Sequence, residues 1–436
     1  MGLKLRPGKL GLSFFLLLVL VLPLRGATID PSLQVEKIRA YSRPLEFDYL
    51  SWTVSALWDK VKQYSLGAEQ YLSSTDSKRL VLEYLQLRDE VNGLQETLKD
   101  IIADPALEDH KRAAADVREV LAAKRSRRED LTPFIQEIIQ RQVNRSLADF
   151  DLTWGGQAVP SVLYRAELDS SALIVSPRDV IRQEANIMLV SGLTLDQKIA
   201  LERNIEEHMD LSALVVGIGG VGMYPTMVIE SGDLNWMLEV IGHEWTHNYL
   251  TLRPLGMHYF ASDELRTINE TVAELAGAEI KRAVLAAYYP ERLPPVPVDI
   301  EEEPRPEEGT VEDKRSEGEE PEKFDFRHEM HLTRLEVDRL LEEGKIEEAE
   351  AYMEERRQFF WDQGYRIRKL NQAYFAFHGS YAAQPGGAAG EEENRLGQNL
   401  RNLKKSMPSF SAFMKKVAWM WRLDQFQKTF ESELSN

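Results

Sequence analysis

Between Val240 and Tyr249 the chain reads Val-Ile-Gly-His-Glu-Trp-Thr-His-Asn-Tyr, two histidines four residues apart with a glutamate directly after the first. On an α-helix, positions i and i+4 share one face, so both imidazoles can reach a single ion. Glu244 follows the first histidine, where its carboxylate can approach a metal-bound water. No charged residue stands at 240–242, 245–246 or 248–250, as a buried helix requires. The stretch therefore demands a helix packed inside the molecule and a further segment that brings a third ligand to it.

Composition narrows the candidates for that ligand. There is no cysteine among the 436 residues, which excludes disulfides, thiol nucleophiles, iron–sulfur clusters and thiolate-bound zinc. Any metal must be held by histidine and carboxylate. Hydrophobic residues make up 43% and charged residues 28%, an ordinary globular balance. The length allows two or three domains. A formal charge of −18 excludes broad nucleic-acid binding, which needs a basic surface to neutralise phosphates. Much of that charge is local. Residues 299–325 hold 13 acids and four bases, a net −9, which is half of the total.

A third histidine at the metzincin spacing would need Gly at 250 and His at 253, where the chain has Leu250 and Arg253. Downstream, Asn269-Glu270 is followed four residues later by Glu274 in a helical pattern. Together with the 243–247 motif, this resembles the gluzincin zinc metallopeptidases, the clan that includes thermolysin and the aminopeptidase N type. The resemblance covers roughly residues 160–290. It implies one zinc ion per chain on His243, His247 and Glu270, with Glu244 as general base. It also implies that Glu274, one turn beyond Glu270 and accompanied by Asn269, orients a ligand histidine through its free ring N–H. A glycine-rich edge strand with Gly219, Gly220, Gly222 and Tyr224 would lie over the zinc and pair with an extended peptide or protein substrate. The oxyanion would be met by a residue from Tyr374, His378 or Tyr381, with His378 and Tyr381 ranked first. The Gly-x-Met-Glu-Asn signature of the aminopeptidase branch is absent, so exopeptidase and endopeptidase action both stay open. A peptidase-like metal-binding interaction module is the alternative to an active enzyme.

Several other features carry less chemistry. Asn269-Glu270-Thr271 is formally a glycosylation sequon, but beside a buried ligand it is a poor acceptor. The glycine cluster at 217–222 lacks the residues of a phosphate loop. His328 and His331 lie on a charged helix and read as a solvated face, and His110, His208 and His258 have no partner pattern.

The remaining sequence sets the architecture. Lys4, Arg6 and Lys9 precede an apolar run from Leu10 to Leu24, the form of an export signal over residues 1–27. Uncleaved, it would anchor the chain in a membrane and place the rest outside the cytoplasm; cleaved, the chain would be secreted. Residues 28–150 read as helical, with Leu80, Tyr84, Leu87, Val91, Leu94 and Leu98 alternating at spacings of four and three. Only about two heptads are clean, which favours a helical hairpin over a long coiled coil. Pro133, with Thr132 as N-cap, is expected to start a new helix. Within 151–290, the expected catalytic core, strands are predicted at 162–166 and 172–176, helix from Pro177 to His208, and a glycine-rich strand or hairpin at 214–229 with Pro225 at an edge. Residues 291–325 have the composition of an acidic, Pro/Glu-rich disordered insert. The last region, 326–436, predicts helices at 328–342 and 345–361, an apolar stretch at 366–382, a Gly/Ala loop and an amphipathic helix around 408–430. The predicted class is a predominantly helical α+β protein with a small mixed sheet, in which the C-terminal helices complete the cleft.

Overall fold

The computed structural model describes residues 34–66, 72–103, 109–294 and 324–434. The apolar N-terminal run and nearly all of the acidic stretch fall outside these residues.

Five helices come first: α1 Gln34–Ser42, α2 Tyr49–Leu66, α3 Ser74–Ala103, α4 His110–Ala113 and α5 Ala115–Asp149. The strands follow as β1 Thr153–Trp154, β2 Gln157–Ala158, β3 Tyr164–Glu167, β4 Ser171–Pro177 and β5 Ala185–Leu189. Then come α6 Leu195–Met209, β6 Leu211–Gly217, β7 Gly220–Val221, β8 Thr226–Ile229, α7 Leu234–Thr251, α8 Pro254–Met257 and α9 Asp263–Tyr288. The C-terminal part supplies α10 Phe326–Glu342, α11 Ile346–Asp362, α12 Gln372–His378, α13 Glu391–Ser406, α14 Phe410–Val417 and α15 Leu423–Leu434. The class is a predominantly helical α+β protein.

The antiparallel sheet β5-β4-β6 is covered on both faces. Leu173 and Val175 of β4 pack with Val215, Ile187, Ile38 of α1 and Ile205 of α6, while Ala172 and Ile174 turn to the opposite face, against Ala373 of α12. That double burial explains the unbroken apolar run at 172–175. A second, mixed sheet has the order β3-β8-β7, parallel between β3 and β8 and antiparallel between β8 and β7. The largest core joins Tyr84 and Leu87 of α3, Ile135, Ile139 and Val143 of α5, Ile241 and Trp245 of α7, Ile268 and Val272 of α9, and Leu400 and Phe413 near the C-terminus. Helices α3 and α5 thus form a hairpin that shares one core with the motif helix and packs α5 against α9.

Several expectations are corrected. Residues 177–208 are not one helix: Ala185–Leu189 pairs with β4, from Ser171↔Leu189 to Val175↔Ala185. Its backbone bonds are made across the sheet, which overrides the helix-forming sequence before it. Pro133 starts nothing, because α5 runs through it. Thr132 is inside that helix, its Oγ1 donating to Arg128 O at 2.9 Å. The apolar face of Leu131, Ile135, Ile138 and Ile139 outweighs the ~3 kcal/mol cost of an interior proline. Pro225 lies just before β8, the central strand, and the edges are β3 and β7. After the Gly/Ala loop come three helices, α13 to α15, where the sequence suggested one. Finally, among the described residues no helix is long and apolar enough to cross a membrane, which overturns the membrane-anchored placement. The long helices α7 and α9 carry ionisable side chains throughout, Glu239 to His247 and Asp263 to Arg282.

Candidate metal centre

Helix α7 starts cleanly because the Asp233 carboxylate accepts from the backbone N–H groups of Asn235 at 2.8 Å and Trp236 at 3.3 Å. Helix α9 starts at Ser262, whose Oγ accepts from Leu265 N at 3.2 Å. The two helices meet backbone to backbone at Gly242 and Gly277. A Cβ on Gly277 would lie 2.6 Å from Glu239 O and 3.1 Å from His243 N, so only glycine permits this approach. The crossing carries Glu270, two turns earlier on α9, onto the two histidines.

His243 Nε2 and His247 Nε2 are 3.0 Å apart. Glu270 Oε2 lies 3.3 Å from the first and 3.4 Å from the second. Ligand atoms ~2.0–2.1 Å from a tetrahedral ion are separated by ~3.3–3.4 Å, so the three atoms outline one face of such a site. Glu270 Oε2 is buried with no hydrogen-bond partner, an orphan that a cation would satisfy. The residues fit a metal: His243, His247 and Glu270 form a group that could hold one ion.

Protonation agrees with that use. His247 Nδ1 donates to Asn269 Oδ1 at 2.9 Å, which leaves the Nε2 lone pair facing His243 and Glu270. Burial works against a charged His247, yet the Glu270 carboxylate outweighs it and lifts the imidazole pKa to about 9. Burial likewise pushes Glu270 upward, but His247 and His243 hold it well below the usual carboxylate range. The Glu270 charge that favours a proton on His247 would equally favour a cation in its place. The Glu244 carboxyl is buried next to the triad, and burial raises its pKa against the pull of both imidazoles.

The glycine-rich edge lies along the motif helix. A Cβ on Gly219 would meet Trp236 at 3.0 Å, one on Gly220 would meet Glu244 Cγ at 2.7 Å, and one on Gly222 would meet His247 Cβ at 2.9 Å. These glycines let the strand touch the helix beside its chemical groups. Tyr224 is half-buried in the turn before β8. The same turn is tied to α7 by Asn248 Nδ2, which donates to Met223 O at 2.9 Å and Thr226 Oγ1 at 3.0 Å.

Of the three aromatic candidates, the structure brings Tyr381 to the triad, its ring 6.1 Å from that of His243. Burial, and then the Glu270 carboxylate, raise its pKa well above the phenol norm, so the hydroxyl stays a donor. Tyr374 and His378 pack on each other with ring centroids 4.3 Å apart, and His378 also meets Phe377 at 5.0 Å. Burial lowers the His378 pKa to about 4, so this imidazole is neutral. Glu274 Oε2 accepts from Ala383 N at 3.0 Å, and Asn269 orients the His247 ring. Burial lifts Glu274 to about 7. The turn it holds, 382–386, is also gripped through its carbonyls by Arg327 and Arg401.

Two contributors went unnoticed in the sequence. The Tyr259 hydroxyl donates to Glu270 Oε1, and its ring lies 6.0 Å from that of His247. Asn248, on the motif itself, carries the tether to 223–226 described above. A tyrosine in a loop of unknown path gives no periodic signal, whereas Asn248 could have been found from its place one residue after the second histidine. Comparisons with protein-family models, with curated proteins and with solved structures return no match.

Proposed function

We propose that the chain is a zinc-dependent peptidase of gluzincin type. The observation that carries this reading is the convergence of His243 Nε2, His247 Nε2 and Glu270 Oε2 within 3.0–3.4 Å of one another, with the Glu244 carboxylate beside them. A zinc ion held there would supply a Lewis acid that acidifies water and polarises a carbonyl. Glu244 would accept the proton of the attacking water and return it to the leaving amine. The outer side of β7 offers backbone groups to an extended peptide. Tyr381, whose ring lies 6.1 Å from that of His243, would donate to the oxyanion as the carbonyl becomes tetrahedral.

The test is zinc content and peptide hydrolysis in wild type and two variants. Wild type is expected to carry about one zinc and to cleave peptides. Glu244→Gln should keep the zinc and lose cleavage, and Glu270→Ala should lose the zinc. Full activity in Glu244→Gln would sink the mechanism. A metal-holding interaction module is the competing reading, favoured by the exposed stripe Leu50, Val54, Trp58 and Val61 on α2. Zinc bound without hydrolysis across a diverse peptide library would establish it.

A further inference from the structure

The two carboxylate oxygens of Glu270 have different surroundings. Oε2 faces the two imidazole nitrogens and has no hydrogen-bond partner, whereas Oε1 accepts from the Tyr259 hydroxyl. A carboxylate can give a metal one oxygen or both. A donor seated on Oε1 opposes the second mode, because turning that oxygen toward a cation would break a bond inside a buried site.

We propose that Tyr259 is a positioning residue that restricts Glu270 to a single ligand oxygen and so keeps a coordination position open for substrate and water. Catalytic zinc sites of this ligand count depend on such an opening. The inference rests on the metal reading above and assigns Tyr259 no contact with substrate.

Tyr259 is held from the side away from the triad. Its backbone N–H donates to Gly256 O at 3.2 Å, and Leu255 N donates to Ala418 O at 3.2 Å. His258 packs its ring 5.0 Å from Trp421. The connection between α8 and α9 is thereby docked on the turn after α14, and that turn supports the side chain controlling Glu270. The neighbour of Tyr259 on the outer side, Phe260, is 88% exposed, so this support comes from the C-terminal helices and not from a covering layer over the loop.

The experiment uses the full chain with zinc replaced by cobalt(II), whose visible bands are intense when four-coordinate and of intermediate intensity when five-coordinate. Wild type is expected to give the four-coordinate spectrum. Tyr259→Phe, which removes one hydroxyl, is expected to keep one cobalt per chain, to shift to the five-coordinate spectrum and to lose metal affinity by about tenfold or more. X-ray absorption on zinc-loaded wild type provides a measurement that needs no variant: one short carboxylate oxygen is expected, and two would overturn the proposal. If wild type takes up one cobalt and Tyr259→Phe gives the same spectrum, this inference falls while the metal centre stands. If wild type takes up no metal at all, both fall.

Discussion

Alanine substitutions at Gly220 and Gly222 separate the two tasks proposed for the motif helix, holding the metal and moving the proton. A Cβ on Gly220 would stand 2.7 Å from Glu244 Cγ, 2.9 Å from Glu244 Oε1 and 2.9 Å from Met227 O. Ordinary contact begins at 3.4 Å, so the overlap is 0.7 Å at Glu244 Cγ and 0.5 Å at Met227 O. Met227 belongs to the central strand, in register with Arg165 on one side and Val221 on the other, and yields little. The strain is therefore shared between the Glu244 side chain and the edge strand. Overpacking of this kind costs about 1–3 kcal/mol. A displacement approaching 1 Å at a catalytic group costs about a hundredfold in rate, so an overlap somewhat smaller predicts a loss of roughly tenfold to a hundredfold.

Gly222→Ala strikes elsewhere. Its Cβ would lie 2.9 Å from His247 Cβ, an atom bonded directly to the backbone of α7 and unable to swing aside. The loop cannot easily retreat, because Asn248 holds Met223 O at 2.9 Å. The displacement passes to His247 Nε2 and to its 3.4 Å separation from Glu270 Oε2. The expected result is that Gly220→Ala keeps its zinc but cleaves peptide poorly, whereas Gly222→Ala loses zinc to a chelator that wild type resists. Zinc per chain after dialysis, kcat/KM on a peptide substrate and the thermal midpoint give the three readings. Wild-type turnover in Gly220→Ala, or wild-type zinc retention in Gly222→Ala, would refute the argument.

Three further outcomes follow from single side chains. Asn269→Ala removes the acceptor that fixes the His247 ring, and chelator competition should show metal affinity weaker by about 10–100-fold; an unchanged affinity would mean that something else orients the ring. Lys60 is buried, donates to Gln136 Oε1 at 2.7 Å, and burial lowers its pKa to about 7. An unfolded lysine titrates near ~10.4, so between these values the unfolded chain binds more protons and stability rises with pH. Lys60→Met should flatten that rise and stabilise the protein at pH 6 by a few kcal/mol in urea unfolding, on the order of 3–5 if the whole shift is recovered; a slope unchanged between pH 7 and 10 would count against it. Glu230 accepts from Tyr84 and lies 3.4 Å from Arg128 and 3.7 Å from Arg88 in the core between the hairpin and β8. Glu230→Ala leaves two guanidinium groups facing each other without a carboxylate, and a loss of about 3–5 kcal/mol is expected; a loss under ~1 kcal/mol would show that water reaches the cluster.

What could be read from the sequence was what is written within one helix. His243, Glu244 and His247 share a face by spacing alone, and Glu270 is one residue after Asn269 on a helix that had to pack nearby. Residues whose roles depend on where the chain returns were not legible. Glu274 is one turn beyond Glu270 as the resemblance suggested, and the Ala383 N–H that meets its Oε2 comes from the turn at 382–386, whose path no spacing announced. Strand β5 follows Arg182-Gln183-Glu184, residues at home in helices, and only pairing with β4 makes Ala185–Leu189 extended. Helix α13 did leave a signal, Leu396, Leu400 and Leu403 on one face, buried in an otherwise polar segment. The glycines at 219, 220 and 222 stood out in the sequence as a cluster, and the structure adds a steric reason for them.

That reason extends to the whole centre. Helix α7 is approached by backbone on two sides, by β7 and the residue after it through Gly220 and Gly222 and by α9 through Gly277. At Gly220, Gly222 and Gly277 the closest neighbours are main-chain atoms or the side chains of Glu244, His247 and His243, while Ile280 packs at Gly242. Ridges of large side chains would set such distances only to within the tolerance of rotamers, whereas contact between backbones is limited by atomic radii. The 3.0–3.4 Å triangle of ligand atoms is therefore set chiefly by glycines that carry no chemistry. Larger residues at Gly277 or Gly222 should damage the metal centre more than substitutions of equal size in the apolar core around Ile241, where neighbouring side chains can yield.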